Sequence, residues 1–171
     1  MITPQVLIQL KAFARQDGAL LSLLWIASFA GMMYMPQSAV GNLLALATPI
    51  VVGWRLCKFR DDALDGVISL RRGYAYAFYV FFYASLVFAL AQYLYFAFLD
   101  GGRFSTMLSD ALRVVTPIYE QQGMSKAEID QGMGLVMSLG PLHWTFVFMV
   151  QNILVGLVLG LPIGAVCRKR S

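Results

Sequence analysis

The chain has 171 residues, 59% of them hydrophobic and only 13% charged, with a net charge of +4. An average soluble domain is roughly one quarter charged, and a water-soluble fold of this length cannot hide so much apolar surface, so an integral membrane protein is expected. The basic balance requires no nucleic acid, because lysines and arginines beside membrane spans anchor to anionic lipid headgroups.

A spanning helix needs about 20 apolar residues. Four runs qualify: Ala19–Met35, Ala39–Cys57, Tyr74–Leu99 and Leu142–Val166. Residues 1–18 precede them. Thr3-Pro4 reads as a helix cap with proline at the first helical position. Val6, Leu10 and Phe13 share a face, while Gln5, Gln9, Lys11 and Gln16 are polar. This predicts a short interfacial helix over 1–18, lying on the membrane surface. Ala12-Phe13-Ala14 mimics a cleavage motif, but a full span follows it, so the start does not read as a cleaved signal.

The first two spans are joined by the short uncharged link Met35-Pro36-Gln37-Ser38 and must form an antiparallel hairpin. Thr48-Pro49 in the second span predicts a bend, since proline frees a backbone carbonyl in mid-helix. The loop over 58–73 is rich in charge, with Lys58, Arg60, Arg71 and Arg72 alongside Asp61, Asp62 and Asp65. Residues 167–171 form a basic tail containing Arg168, Lys169 and Arg170. Placing this loop and both termini in the cytoplasm leaves only Arg103, Arg113 and Lys126 outside, which satisfies the positive-inside rule.

The third span, Tyr74–Leu99, is 26 residues long, or about 39 Å of helix, so it tilts or projects beyond a core of about 30 Å. Its many aromatics suit either ordinary packing or a groove for a lipid tail. Between spans three and four, residues 100–141 carry two amphipathic patterns. Phe104, Leu108, Ala111, Leu112 and Val115 mark one helix; Ile129, Met133, Val136 and Met137 mark another. Gly123 is a plausible stop, and Ser125-Lys-Ala-Glu128 is a capping box that opens the second helix. In the fourth span Gly156, Gly160 and Gly164 lie on one helical face. Glycine permits the close backbone approach on which helix packing in lipid depends, so this is the expected helix-packing face. The predicted fold is all-α: a single membrane domain built as an integral membrane four-helix bundle. It carries an N-terminal interfacial helix and an extracytoplasmic helical hairpin.

The order Phe59-Arg60-Asp61, Gly66-Val67-Ile68-Ser69 and Gly73 leads into the third span. That span closes on Tyr93-Leu94-Tyr95-Phe96-Ala97-Phe98-Leu99-Asp100, and the hairpin turns at Gly123-Met124-Ser125 with Glu128-Ile129 following. Taken together these stretches resemble the domain of unknown function 4199 family, small four-span proteins of the bacterial inner membrane. Leu70-Arg71-Arg72 stands where the family pattern is more neutral. The resemblance implies no activity; it implies a membrane-associated glycosyltransferase acting on polyprenyl phosphate as a neighbour.

No catalytic, cofactor-binding or metal-ligating constellation is legible. His143 stands alone without ligand spacing. Cys57 and Cys167 fall at cytoplasmic helix ends, where a disulfide is not expected. No phosphate-binding loop, dinucleotide fingerprint or nucleophile elbow is present. The spans appear as runs without Asp, Glu, Lys or Arg away from their ends, which argues against a coupled pump. Asn42, Gln92 and Asn152 are candidate intramembrane polar contacts. Arg60, Arg71 and Arg72 are candidates to hold a phosphate or dock a partner through forked bonds, or else pair with the neighbouring aspartates. The expected function is a non-enzymatic accessory or scaffold subunit of an inner-membrane complex, surrounded by membrane lipids and held to another membrane protein or a second copy. The alternative is a small carrier or flippase for a lipid-linked substrate, which needs a polar path joining Asn42, Gln92 and Asn152 to the arginine loop.

Overall fold

The computed structural model describes residues 4–169; the expected Thr3 cap and Arg170 of the tail lie outside the described residues. Every regular element among the described residues is a helix. α1 is Pro4–Tyr34, α2 Val40–Leu46, α3 Thr48–Ala63 and α4 Leu70–Leu94, the last running on as a π-helical turn, Tyr95–Leu99. α5 is Arg103–Gln121, α6 Lys126–Met137 and α7 Pro141–Cys167. Four stretches are long and apolar enough to cross a membrane: Gln5–Tyr34, Val40–Ala63, Leu70–Leu99 and Pro141–Cys167. The protein is an all-α, multi-pass membrane protein.

The expected boundary between an interfacial helix over 1–18 and a span over 19–35 is absent, because α1 runs through it without a break. Gln16-Asp17-Gly18 reads locally as the end of one helix and the start of another. Packing overrides that signal. A Cβ on Gly18 would stand 2.8 Å from the Cβ of Tyr83 and 2.9 Å from the carbonyl oxygen of Val80, so glycine is what lets α1 and α4 touch here. The charged loop is also shorter than 58–73, since α3 continues to Ala63 and α4 starts at Leu70.

The chain forms two compact units, one up to Ala91 together with Val147 onward, the other Gln92–Phe146. In the first, α1 and α2 form the expected antiparallel hairpin. Ser28 Oγ donates to the Gly41 carbonyl at 2.7 Å, and a Cβ on Gly41 would lie 2.8 Å from the Ser28 carbonyl oxygen. A one-residue break at Ala47, just before Thr48-Pro49, separates α2 from α3. There the Trp25 indole donates to Thr48 Oγ1 at 3.0 Å, satisfying two buried polar groups at once. α4 runs alongside α1, with Trp25 within 5.8 Å of both Phe81 and Phe88, and Phe29 at 5.9 Å from Phe88.

α7 lies antiparallel on α4. A Cβ on Gly156 would overlap the Phe81 side chain, one on Gly160 would lie 3.1 Å from the Tyr74 ring, and one on Gly164 would lie 2.9 Å from the Tyr74 backbone nitrogen. The contact is made by backbone at Gly73 and Gly164, so larger residues have no flexible neighbour to push aside.

In the second unit Asp100 opens α5, its two oxygens accepting from the backbone nitrogens of Phe104 at 2.9 Å and Gly102 at 3.1 Å. Phe104 packs between Phe96 and Trp144 with ring centroids 5.0 and 4.9 Å away. α5 and α6 form the helical pair expected between the third and fourth spans. The turn passes through Gly123 at φ 92°, a conformation that favours glycine. The Ser125–Glu128 capping box is formed in both directions.

Gly164→Ala is expected to lower the unfolding free energy in micelles by about 1–3 kcal/mol, the usual cost of overpacking. Gly132→Ala on α6 has nothing within 4 Å of the new methyl and should raise it by about 0.5–1 kcal/mol. A silent Gly164→Ala in a denaturant titration would show that α4 and α7 have slack. The Ser125 hydroxyl and then its backbone N–H hold the Glu128 carboxyl below its ordinary range. Its contribution to α6 is therefore complete above the unfolded carboxyl value of about 4.3 and is lost as pH falls through the lower folded value. Amide exchange at the start of α6 should accelerate in that acid window and not at higher pH.

Candidate functional site

Leu10, Ala14, Asp17, Leu21, Trp25 and Ser28 follow one another at helical spacing down a single buried face of α1. Five of the six are apolar or small; the sixth is a carboxylate that is 2% exposed. The sequence reading passed over this residue, which stands two positions before the apolar run Ala19–Met35 on the helix that continues it. Asp17 lies within the span Gln5–Tyr34, some 25 Å of helix from Tyr34. Taking an isolated carboxylate out of water costs far more than a small protein's stability, so it must be paired.

Its partners come from two other spans. Arg55 on α3 reaches Asp17 Oδ1 with both Nε and one terminal nitrogen. The Tyr76 hydroxyl on α4 donates to Asp17 Oδ2. Each partner is itself fixed. Arg55 follows Val52 and precedes Leu56 and Phe59, which are all buried, and its guanidinium also lies 5.6 Å from the Trp54 ring. Tyr76 is fully buried and stacks on Phe59 at 4.8 Å and 12°, and Phe59 in turn meets Phe13 of α1 at 5.0 Å. Both oxygens of Asp17 are thus occupied, and α1, α3 and α4 meet at one carboxylate.

Below this point Arg60 ties α3 to the end of α7. Its Nη1 donates to the Cys167 carbonyl at 3.0 Å, while Nε and Nη2 fork onto Asp61 at 2.7 and 2.9 Å. Arg60 is therefore committed to the chain itself. Arg71 is exposed, and Arg72 is half-buried with a buried Nε that has no partner. The Cys57 and Cys167 sulfurs stand 2.7 Å apart as free thiols, with Cys167 also 3.2 Å from the Gly53 carbonyl. Among the neutral candidates, Asn42 is exposed on α2 and Asn152 half-buried on α7. Gln92 is buried, and its side-chain oxygen has no partner. His143 is exposed. No group of three acidic, histidine or cysteine side chains that could hold a metal occurs among the described residues.

Replacing either member of the ion pair by leucine leaves the other charge buried and alone. Asp17→Leu and Arg55→Leu should each destabilise by about 3–5 kcal/mol, whereas the double variant should be neutral or more stable than the parent. Tyr76→Phe leaves one carboxylate oxygen unsatisfied and should cost about 1–3 kcal/mol. The unfolding free energies of the four variants in micelles check this, and additive single effects would mean that the pair is solvated.

Nothing matches the chain among curated proteins or among solved structures. A family described as "Protein of unknown function (DUF4199)" matches residues 16–169, a range that takes in Asp17, Arg55, Tyr76 and the three glycines of α7, and the chain belongs to that family.

Proposed function

We propose that this protein is a non-enzymatic accessory subunit that holds a partner protein at the membrane. The observation that carries this reading is the closure of the Asp17 site. Asp17 is the one buried acidic or basic side chain among the described residues, and both of its oxygens are taken up by Arg55 and Tyr76. A proton- or ion-coupled carrier keeps such a group accessible to its cargo; here it is spent on fixing three spans in one register. A fixed bundle with apolar outer faces suits holding a neighbour. α5 adds a second apolar stripe beyond the face it turns to α6: Met107, Val114 and Ile118 are 39, 74 and 51% exposed.

The balance of basic residues supports a cytoplasmic location for both termini, and the family resemblance supports the bacterial inner membrane. The resemblance also supports a membrane-associated glycosyltransferase acting on polyprenyl phosphate as the partner, with a second copy of this chain as the other occupant. The carrier or flippase reading needs Asn42, Gln92 and Asn152 on a common polar path, and the exposed position of Asn42 gives it no support.

Purification from native membranes in mild detergent should yield a stoichiometric membrane protein partner, and the Asp17→Leu/Arg55→Leu double variant should retain it. The isolated protein in liposomes should move no lipid between leaflets. Lipid scrambling that the double variant abolishes would overturn the accessory role in favour of a carrier.

A further inference from the structure

The residues after α7 return to the loop between α3 and α4. Ile68 donates to the Lys169 carbonyl at 3.1 Å and Lys169 donates back to Ile68 at 3.3 Å, an isolated antiparallel bridge. Ile68 is 1% exposed, so the bridge is anchored in the core. Beside it opens a groove of about 560 Å³, within the size range of ligand sites. Val67, Ser69 and Leu70 line it together with Arg71, Arg168 and Lys169.

Two features give this groove a chemistry. The first is uncompensated positive charge. Arg71, Arg168 and Lys169 are all exposed, and none forms an ion pair among the described residues, whereas Asp61, whose carboxyl is held low by Arg60 first and by Lys169 last, is already forked onto Arg60. Asp62 and Asp65 are exposed and likewise form no ion pair with the three. The second is the start of α4. Ser69 Oγ accepts from the Arg72 nitrogen at 3.4 Å, and the N–H groups of Leu70 and Arg71 precede the first intrahelical bond, at the positive end of a 25-residue helix. Cationic side chains and unsatisfied N–H groups at a helix start are the donor set that phosphate oxygens take up.

The position says which phosphate. Arg71 is the second residue of the span Leu70–Leu99, and Arg168 immediately follows the span Pro141–Cys167. The cations therefore stand at the level where spans leave the hydrocarbon and lipid phosphates lie. Val67, 39% exposed, and Leu70 give the groove an apolar side on which the start of an acyl chain can rest. We propose that this groove binds the phosphate headgroup of an anionic membrane lipid, held by Arg71, Arg168 and Lys169. The site is separate from the accessory role, since lipid binding requires no protein partner.

The test uses the full chain in phosphatidylcholine nanodiscs, titrated with phosphatidic acid. The readouts are the thermal unfolding midpoint and lipid adducts in native mass spectrometry. Phosphatidic acid should raise the midpoint and form a discrete adduct, and inorganic phosphate at the same concentration should do neither. Arg71→Gln/Arg168→Gln should bind phosphatidic acid about thirtyfold more weakly, from the usual worth of two cations near an anionic surface. Arg113→Gln/Lys126→Gln on the α5–α6 pair, with the same loss of net charge, should bind as the parent does. Both pairs are exposed, so the unfolding midpoint in phosphatidylcholine alone should not change; Lys169→Gln serves as a second groove variant. Equal weakening by the two double variants would reduce the effect to net charge and overturn the site. Unchanged binding by the groove variants would do the same. An equal response to inorganic phosphate would make a free anion, not a lipid, the ligand.

Discussion

A carboxylate out of water is the constraint around which this bundle is arranged. Asp17 sits on the same buried stripe of α1 as Leu10, Ala14, Leu21 and Trp25, where an unpaired charge would not survive. Its neutralisation needs a cation and a hydroxyl from two other helices, and those helices must arrive in one register to deliver them. Gly18 lets α4 close on α1 next to the charge. Phe59 fills the space between Phe13 and Tyr76. An ion pair of this kind adds little net stability, because desolvation cancels much of the attraction. What it adds is selectivity among packings, since shifted arrangements of the same apolar helices strand a charge.

A second, adjoining flank of α4 works by a different rule. Gly156, Gly160 and Gly164 present no side chains, and Phe81, Tyr74 and Gly73 come up against bare backbone. Lipid tails are as apolar as leucine, so close van der Waals contact is what holds such a pair together. α4 is thus held on one side by a directional polar contact and on the other by shape. Its aromatics serve both: Tyr76 donates to the carboxylate, while Tyr74 and Phe81 fit the glycine face.

The architecture was legible because it depends on local pattern. Apolar run lengths, Pro49, Gly123 and the Ser125–Glu128 box each act within a few residues, and, the start of the first span and the limits of the charged loop aside, the elements appear where the sequence places them. The Asp17 site was not legible in the same way. Gln16-Asp17-Gly18 carries the local signature of a helix boundary, and the groups that cancel it lie 38 and 59 residues further on. One signal was available: the 10-14-17-21-25 spacing places Asp17 on a stripe with Leu and Trp, and continuity of a face outranks one polar residue. The groove beside Ile68 was out of reach altogether, because it exists only where the loop pairs with Lys169, a residue far along the chain. The arginine cluster in the loop was visible, but its partition was not: Arg60 turned to the end of α7, while Arg71 joined residues from the opposite end of the chain.

The seam between α4 and α7 bears on how the protein is made. Phe81 and Gly156, which touch in the finished fold, are 75 residues apart in the chain. At ordinary elongation rates the ribosome needs about 4–15 s to cover that interval. The first three spans can dock around Asp17 during this time, but the tyrosine and phenylalanine flank of α4 waits uncovered in the bilayer. Newly synthesised molecules therefore pass through a half-built intermediate with a sticky aromatic edge, which is the stage at which insertion machinery or quality-control proteases have something to grip.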